Sequence, residues 1–303
     1  MRSISYLGHS ARRVFHACEK GDGVDDEKAA IIRVVQNIPP ADDFSKLLSD
    51  IYLPNNTSHS LFELSCDHPR RLFIYAQYHA ASPWILDQLL LAYERREQDA
   101  AWKFYNVIAG NRDAASLKGR IWERQVHNFF HSRAQPYTLA VTSLQDDRSA
   151  MVQSTWEIPA AVPRLDFDPQ SFLGILEDAI RSQTPTYFVP VDRNFPTIDS
   201  VFYKPGECLH AIQITEARNH PEKTFGFKHL QGYMKLKSLA HPLQPSGSEP
   251  WHLFFVVPNG MASTFAKQAF VGTDTDVKVW GTKIKQFVVE LPREEVLKPQ
   301  GRK

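Results

Sequence analysis

Cysteine is scarce in this sequence, and its spacing argues against the functions that depend on it. The chain of 303 residues contains three cysteines, Cys18, Cys66 and Cys208, which lie far apart and form no CxxC pair. An odd and scattered set does not build a disulfide framework, and it lacks the short Cys and His spacing of a zinc site. We therefore expect a protein of a reducing compartment that binds no zinc.

Long apolar runs and an excess of one charge are also lacking. No apolar stretch reaches the roughly 18 residues of a membrane span, and the first residues contain no apolar core of signal-peptide length. The formal net charge is +1, so any phosphate-binding surface must be local. A GxxxxGK[ST] motif is missing, which argues against ATP hydrolysis. These absences predict an intracellular protein without a membrane-spanning segment.

The composition is nevertheless that of a folded protein, with 43% hydrophobic and 12% aromatic residues. We predict two domains and a tail. Residues 1–110 form helices with a small hairpin, a content similar to that of winged-helix domains. Residues 111–295 form the second domain, and residues 296–303 form a frayed tail.

Several elements of the first domain are predicted individually. Apolar periodicity indicates short helices over residues 8–19, 25–37 and 42–52. The runs LFELSC and RLFIYAQY predict a hairpin, and Ser82 followed by proline predicts the N-terminus of a helix that continues to Ile108.

The second domain alternates strands with helices. We predict strands at YTLAVTSL, MVQSTWEI, TIDSVFY, LHAIQIT, WHLFFVVP and residues 283–291, and helices over residues 116–132, 170–181, 224–239 and 262–270. The segment AAVPRLDFDP is predicted to be a linker. This order predicts an α/β (α+β) fold with a mixed central sheet flanked by helices.

Three oxygen-bearing side chains lie on two strands that we expect to pair. Asp199 is in TIDSVFY, whereas Gln213 and Thr215 are on one face of LHAIQIT, which follows a KPGE turn. One carboxylate, one amide oxygen and a further carboxylate would suffice for a divalent cation such as magnesium. The alternative is a solvated strand face, with Asp199 capping a turn or pairing with Arg193.

A resemblance favours the first interpretation. The segment Tyr187, Pro190, Asn194-Phe195-Pro196, Ile198-Asp199-Ser200, Gln213-Ile214-Thr215, His220-Pro221 and Gly226 to Leu230 resembles the C-terminal nuclease-like domain of Crinkler and retrotransposon-hot-spot (RHS) type effector proteins. That domain is a variant of the PD-(D/E)XK restriction-endonuclease-like fold. The resemblance covers roughly residues 113 to 290.

The resemblance implies a site and an activity. It implies Mg²⁺ or Mn²⁺ held by Glu123, Asp199 and Gln213, with Glu123 supplied by an upstream helix, and it implies phosphodiester hydrolysis of DNA. The family pattern places a lysine where this chain has Thr215, which cannot supply a positive charge. Three explanations stay open: a relocated lysine, Lys228 or Lys223; slower catalysis by the metal alone; or binding without cleavage.

Further residues complete the prediction. His220 is a candidate base or phosphate donor, or else a turn histidine. The basic residues Arg218, Lys223, Lys228 and Lys235 are candidates for DNA backbone contacts without sequence specificity. We therefore predict a magnesium-dependent DNA endonuclease, an effector acting in a target-cell nucleus. The alternatives are an inactive nuclease-fold module that binds nucleic acid, and a protein-interaction effector whose residues 1–110 dock a partner.

Overall fold

The structure is a computed structural model, and it describes most of the second domain and parts of the first. The described residues are 23–38, 61–66, 76–96, 103–106, 115–146, 152–192, 195–219, 221–234 and 238–297. The chain divides into two compact units, Met1–Trp122 with Leu297–Lys303, and Glu123–Val296. The sequence places the domain boundary near residue 110, whereas the units divide after Trp122.

Among the described residues, the first unit contains two helices, a strand pair, a short helical segment and the first part of the helix Ala115–Ser132. Helix α1 is Gly23–Gln36, and strands β1 (Phe62–Cys66) and β2 (Ala76–Ala80) pair antiparallel, as the sequence predicts. Helix α2 is Pro83–Arg96, and residues 103–106 are helical again. The predicted helices over residues 8–19 and 42–52 lie outside the described residues.

The second unit is built on one eight-stranded sheet. Its strands are β3 (Tyr137–Ser143), β4 (Gln153–Ile158), β5 (Arg164–Phe167), β6 (Thr186–Pro190), β7 (Ser200–Tyr203), β8 (His210–Ile214), β10 (Trp251–Pro258) and β12 (Ile284–Leu291). The spatial order is β4-β3-β12-β10-β8-β7-β6-β5. A separate short pair joins β9 (Glu222–Lys223) to β11 (Phe270–Val271) in parallel.

The helices of this part of the chain are α3 (Ala115–Ser132), α4 (Phe172–Ser182), α5 (Thr224–Tyr233), α6 (Asp274–Lys283) and α7 (Arg293–Leu297). Strands β6, β7 and β8 form an antiparallel meander, and the chain then passes through α5 to β10, which is parallel to β8. Strand β12 is parallel to β10 and antiparallel to β3. The predicted α/β (α+β) class, a mixed sheet flanked by helices, is confirmed.

The two faces of the sheet are covered by different helices. Side chains that alternate along the strands place Phe188, Val201 and Ala211 on one face, where they join a buried cluster with residues of α4, α5 and α6. We call this the core face. Tyr187 and its register partner Phe202 are on the other face, which we call the α3 face because Phe130 of α3 stacks on Tyr187 at 5.4 Å.

Side-chain caps set the starts of α2 and α6, and a side chain also caps the turn that precedes α4. The Ser82 hydroxyl accepts the backbone N–H of Ile85 at 3.1 Å, as predicted for the start of α2. Asp168 accepts the N–H three residues on at 2.8 Å, before α4, and Thr273 accepts the N–H of Asp276 at 3.2 Å in α6. These caps supply acceptors for N–H groups that the helix leaves unpaired.

The structure corrects four sequence-based predictions. The predicted linker AAVPRLDFDP contains β5, which pairs in parallel with β6 at the sheet edge. Residues 262–270 form a short 3-10 turn followed by β11 rather than a helix. Helix α5 ends at Tyr233 instead of 239, and helix α7 includes the first two residues of the predicted frayed tail, 296 and 297.

A tertiary contact explains why residues 265–271 are not helical. The backbone N–H of Gln268 donates to the side chain of Gln286 at 2.7 Å, and Gln286 donates to the carbonyl of Gln268 at 2.9 Å. This pairing holds the segment extended against β12.

Among the described helices, none is long and apolar enough to cross a bilayer.

Candidate active site

Strands β7 and β8 bring Asp199 beside Gln213. Ser200 and Ile212 are register partners, and the backbone N–H of Asp199 donates to the carbonyl of Ile212 at 2.9 Å. Asp199 and Gln213 therefore both project on the core face, at the end of the strand pair.

The Asp199 carboxylate is held by two donors. Its Oδ2 accepts the Gln213 side-chain Nε2 at 2.8 Å and the backbone N–H of Ile214 at 2.6 Å. A carboxylate accepts hydrogen bonds and does not donate them, so the amide NH₂ of Gln213 must face Asp199. The amide oxygen of Gln213 consequently points elsewhere.

That amide oxygen is the unusual atom of the site. Gln213 is 6% exposed, and its Oε1 is buried without a hydrogen-bond partner among the described residues. Leaving a buried acceptor unpaired costs about 1–3 kcal/mol. A hard divalent cation accepts carboxylate and amide oxygens as ligands, so the donor types of Asp199 and Gln213 suit such an ion.

The segment before Asp199 is constrained from two sides. Thr197 has φ 71°, a left-handed conformation that costs a β-branched residue about 1–3 kcal/mol. Its hydroxyl donates to the carbonyl of Lys223 at 2.8 Å, at the start of α5. A Cβ added to Gly226 would lie 1.9 Å from the carbonyl oxygen of Pro196, so only glycine allows this close approach. The first turn of α5 thus positions the chain that carries Asp199.

Thr215 continues β8 on the same face as Gln213. It is 7% exposed, and its Oγ1 accepts the backbone N–H of Ala217 at 3.0 Å. The hydroxyl therefore shapes the turn after β8. It carries no charge at the position where the nuclease pattern has a lysine.

Glu123 lies on the other side of the sheet from Gln213. Its Oε1 is 3.8 Å from Nε2 of His127, and the Nδ1 of His127 is 2.7 Å from the hydroxyl of Tyr187. Tyr187 is on the α3 face, whereas Gln213 is on the core face. The structure brings Asp199 and Gln213 together and places Glu123 over the opposite face.

A chain of hydrogen bonds nevertheless leads from His127, whose Nε2 is 3.8 Å from Oε1 of Glu123, toward Asp199. The Ser200 hydroxyl donates to the Tyr187 oxygen at 2.8 Å, which directs the Tyr187 proton to Nδ1 of His127. His127 then carries its own proton on Nε2, facing Glu123. The chain ends at Ser200, the residue next to Asp199.

This chain is uncharged from His127 to Ser200. Burial lowers the pKa of His127, against the opposing effect of Glu123, and burial raises the pKa of Tyr187. Both groups are therefore neutral near pH 7. The chain serves to position Ser200 and the start of β7.

The basic residues predicted to contact DNA differ in their contacts and their exposure. Nζ of Lys228 is 2.8 Å from Oδ1 of Asp276, and this cation lowers the pKa of Asp276. Arg218 and Lys223 are exposed, in the segment between β8 and α5. His220 and Lys235 lie outside the described residues.

Sequence reasoning missed Thr197 and Gly226 as positioning residues. A glycine inside the first turn of a predicted helix is a signal for Gly226, because glycine is unfavourable there unless a close contact requires it. Thr197 gives no comparable signal, since a threonine at positive φ is recognised only from coordinates.

Comparisons of this chain with protein-family models, curated proteins and solved structures give no match.

Proposed function

We propose that Asp199 and Gln213 bind a divalent cation, Mg²⁺ or Mn²⁺, and that the protein is a cation-dependent DNA endonuclease of the Crinkler and RHS type. The observation that supports this most is the buried Gln213 Oε1, which lacks a partner among the described residues beside a fixed carboxylate. Action on DNA in the nucleus of a target cell is part of the proposal.

The two side chains have separate roles in this proposal. Asp199 supplies charge, and the backbone N–H of Ile214 fixes its orientation at 2.6 Å. Gln213 supplies a neutral oxygen whose direction is set by its own NH₂ group on Asp199. A bound cation provides charge for the phosphate oxygens and lowers the pKa of a coordinated water.

Substrate binding is assigned to the exposed segment after β8. Arg218 and Lys223 lie there, and cations in such a position bind phosphates independently of base sequence. With a formal net charge of +1, the protein depends on this local surface rather than on its overall field.

A second function is favoured by one observation. Lys228 is paired with Asp276, and Thr215 occupies the position of the family lysine. Thr215 supplies no positive charge, so the stabilisation of developing charge that the family lysine would provide is lost. The second proposal is therefore a module that binds DNA without cleaving it.

The cation site is tested by thermal unfolding with and without Mn²⁺. A ligand that binds the folded state raises its melting temperature, so Mn²⁺ is expected to stabilise the wild type. Asp199→Asn is expected to abolish that increase. Gln213→Glu places a second carboxylate beside Asp199, so it should lower stability without cation and enlarge the increase with Mn²⁺.

Asp178→Asn is the matched control, because this exposed carboxylate pairs with Arg181 on helix α4. It should leave the Mn²⁺ effect unchanged. A Mn²⁺ effect that is equal in wild type and Asp199→Asn would refute the site.

Plasmid cleavage with Mg²⁺ or Mn²⁺ then separates the two functions. Cleavage by the wild type and its loss in Asp199→Asn support the nuclease. Salt-sensitive DNA binding without cleavage, together with a Mn²⁺ effect that requires Asp199, would replace the nuclease by the binding module.

A further inference from the structure

A second group of side chains meets on the α3 face, at the opposite end of β8. Cys208 and His210 stand at the start of β8, and His252 is the register partner of His210 on β10. One sulfur and two ring nitrogens of these residues all lie within 4.8 Å of one another. His210 and Gln213 are three residues apart on a strand, so they project on opposite faces and belong to separate sites.

His210 is oriented as a metal-binding imidazole. Its Nε2 is 3.3 Å from Oε2 of Glu207, and the other carboxylate oxygen of Glu207, Oε1, is 2.6 Å from Nζ of Lys204. Metal-binding histidines commonly donate the second ring N–H to a carboxylate, which fixes the ring. With the proton on Nε2, the lone pair is on Nδ1.

That lone pair has no donor. His210 is 3% exposed, and its Nδ1 is buried without a hydrogen-bond partner among the described residues. Burial lowers the pKa of His210 to about 3, so the ring is neutral at physiological pH. A buried, neutral ring with an unpaired nitrogen beside a thiol is costly unless a cation is bound there.

The surroundings shield one side of the cluster and leave another open. The rings of His210 and His252 stack at 5.2 Å, and Trp156 stacks on Phe254 at 4.4 Å beside them. Cys208 and His252 are only partly buried. Solvent therefore reaches the cluster past these two residues.

We propose that Cys208, His210 and His252 form a zinc site with one coordination position open to solvent. A thiolate with two imidazoles is a ligand set that suits Zn²⁺ better than Mg²⁺. Zinc bonds of about 2.0–2.3 Å place the ligand atoms about 3.3–3.6 Å apart. Closing from within 4.8 Å requires a shift of about 1 Å, within reach of rotation about the side-chain bonds.

Cys208 must lose its proton when the ion binds. Burial raises the pKa of this thiol to about 11, so it is protonated near pH 7 without metal. Binding exchanges the S–H proton for an S–Zn bond and releases about one proton per ion.

The test titrates chelator-treated full-length protein with Co²⁺, followed by competition with Zn²⁺. In a background in which Cys18 and Cys66 are replaced by serine, we expect a near-ultraviolet thiolate-to-cobalt band that corresponds to one thiolate-bound Co²⁺ per chain and is lost when Zn²⁺ displaces it. Cys208→Ser is expected to remove the band, and His252→Asn to weaken binding at least tenfold. His241→Asn, at an exposed histidine, is the matched control and should change neither.

A variant of a positioning residue tests the site even if the variants of the ligands fail to fold. Glu207→Gln leaves all three ligands present and should weaken Zn²⁺ binding about 10- to 100-fold while the thiolate band is retained at saturation. Absence of a thiolate band in the wild type, or a band that survives Cys208→Ser, would overturn the proposal. Neither result depends on cleavage of DNA or on Asp199, so this site and the proposed function fail or stand separately.

Discussion

Substitution of Gly226 by alanine is the sharpest perturbation of the chain segment that carries Asp199. The added Cβ would lie 1.9 Å from the carbonyl oxygen and 2.8 Å from the carbonyl carbon of Pro196. Both contacts are with backbone, so no side-chain rotation relieves them. Helix α5 and the Pro196 segment must separate by about 1 Å or more to reach the closest contacts that real Cβ atoms make, near 3.0 Å.

The magnitude follows from two opposing terms. Overpacking of this kind costs about 1–3 kcal/mol, and we expect the upper part of that range because backbone must move. Alanine in place of glycine in a helix raises the free energy of unfolding by about 1 kcal/mol. The net loss in the free energy of unfolding is therefore about 1–2 kcal/mol.

The same helix offers a matched control. Gly232 is exposed, and an added Cβ there meets no heavy atom within 4 Å. Gly232→Ala should gain up to about 1 kcal/mol. Urea denaturation measures the stability of both variants. The unfolding midpoint of Gly226→Ala should lie at a lower urea concentration than that of Gly232→Ala.

The second measurement is the Mn²⁺-dependent increase in melting temperature. Because Pro196 precedes Asp199 by three residues, Gly226→Ala should diminish this increase, whereas Gly232→Ala should preserve it. If Gly226→Ala were as stable as Gly232→Ala, the close approach of α5 to Pro196 would be refuted. The role of this close approach in placing Asp199 would be refuted as well.

Three further predictions concern other parts of the second unit. Tyr187→Phe leaves Nδ1 of buried His127 without its donor, so the free energy of unfolding should fall by about 1–3 kcal/mol in urea denaturation. Asp168→Ala removes a carboxylate whose pKa is lowered by hydrogen bonds from the following turn. Since its stabilising effect is present above the ordinary pKa near 3.8 and is lost as pH falls through the lower folded pKa, the difference in melting temperature from wild type should be full at pH 6 and small near pH 2. Lys228→Ala should leave any plasmid cleavage rate unchanged, because Asp276 holds the Lys228 ammonium, and a large loss of cleavage would contradict this.

Local signals in the sequence predicted several elements correctly. The apolar run WHLFFVVP predicts a strand buried on both faces, and β10 lies inside the sheet between two parallel neighbours. The stripe of Leu117, Ile121, Val126 and Phe130 predicts the buried side of α3, and the last three of these residues are at most 1% exposed. These patterns predict burial correctly because side chains that repeat every two residues in a strand, or every 3.6 residues in a helix, lie on one face of the element.

Elements that depend on distant partners were missed. Strand β5 has an exposed, charged sequence, and it is a strand because β6 offers it backbone hydrogen bonds. Helix α6 was also overlooked, although its cap at Thr273 with an acidic residue three positions on is a recognisable start signal. The sequence of β5 contains no local signal for a strand, whereas the sequence before α6 contains a local signal for the start of a helix.

The sequence by itself determined the pairing of Asp199 with Gln213, because the two residues lie on adjacent antiparallel strands that a short connection, residues 204–209, joins. Only the tertiary structure decided that Glu123 lies over the opposite face, and that His252 meets Cys208 and His210. The physical reason is the range of the contacts. A turn and strand alternation fix neighbours that are close along the chain, whereas the crossover from β8 through α5 to β10 sets a register that no local pattern encodes.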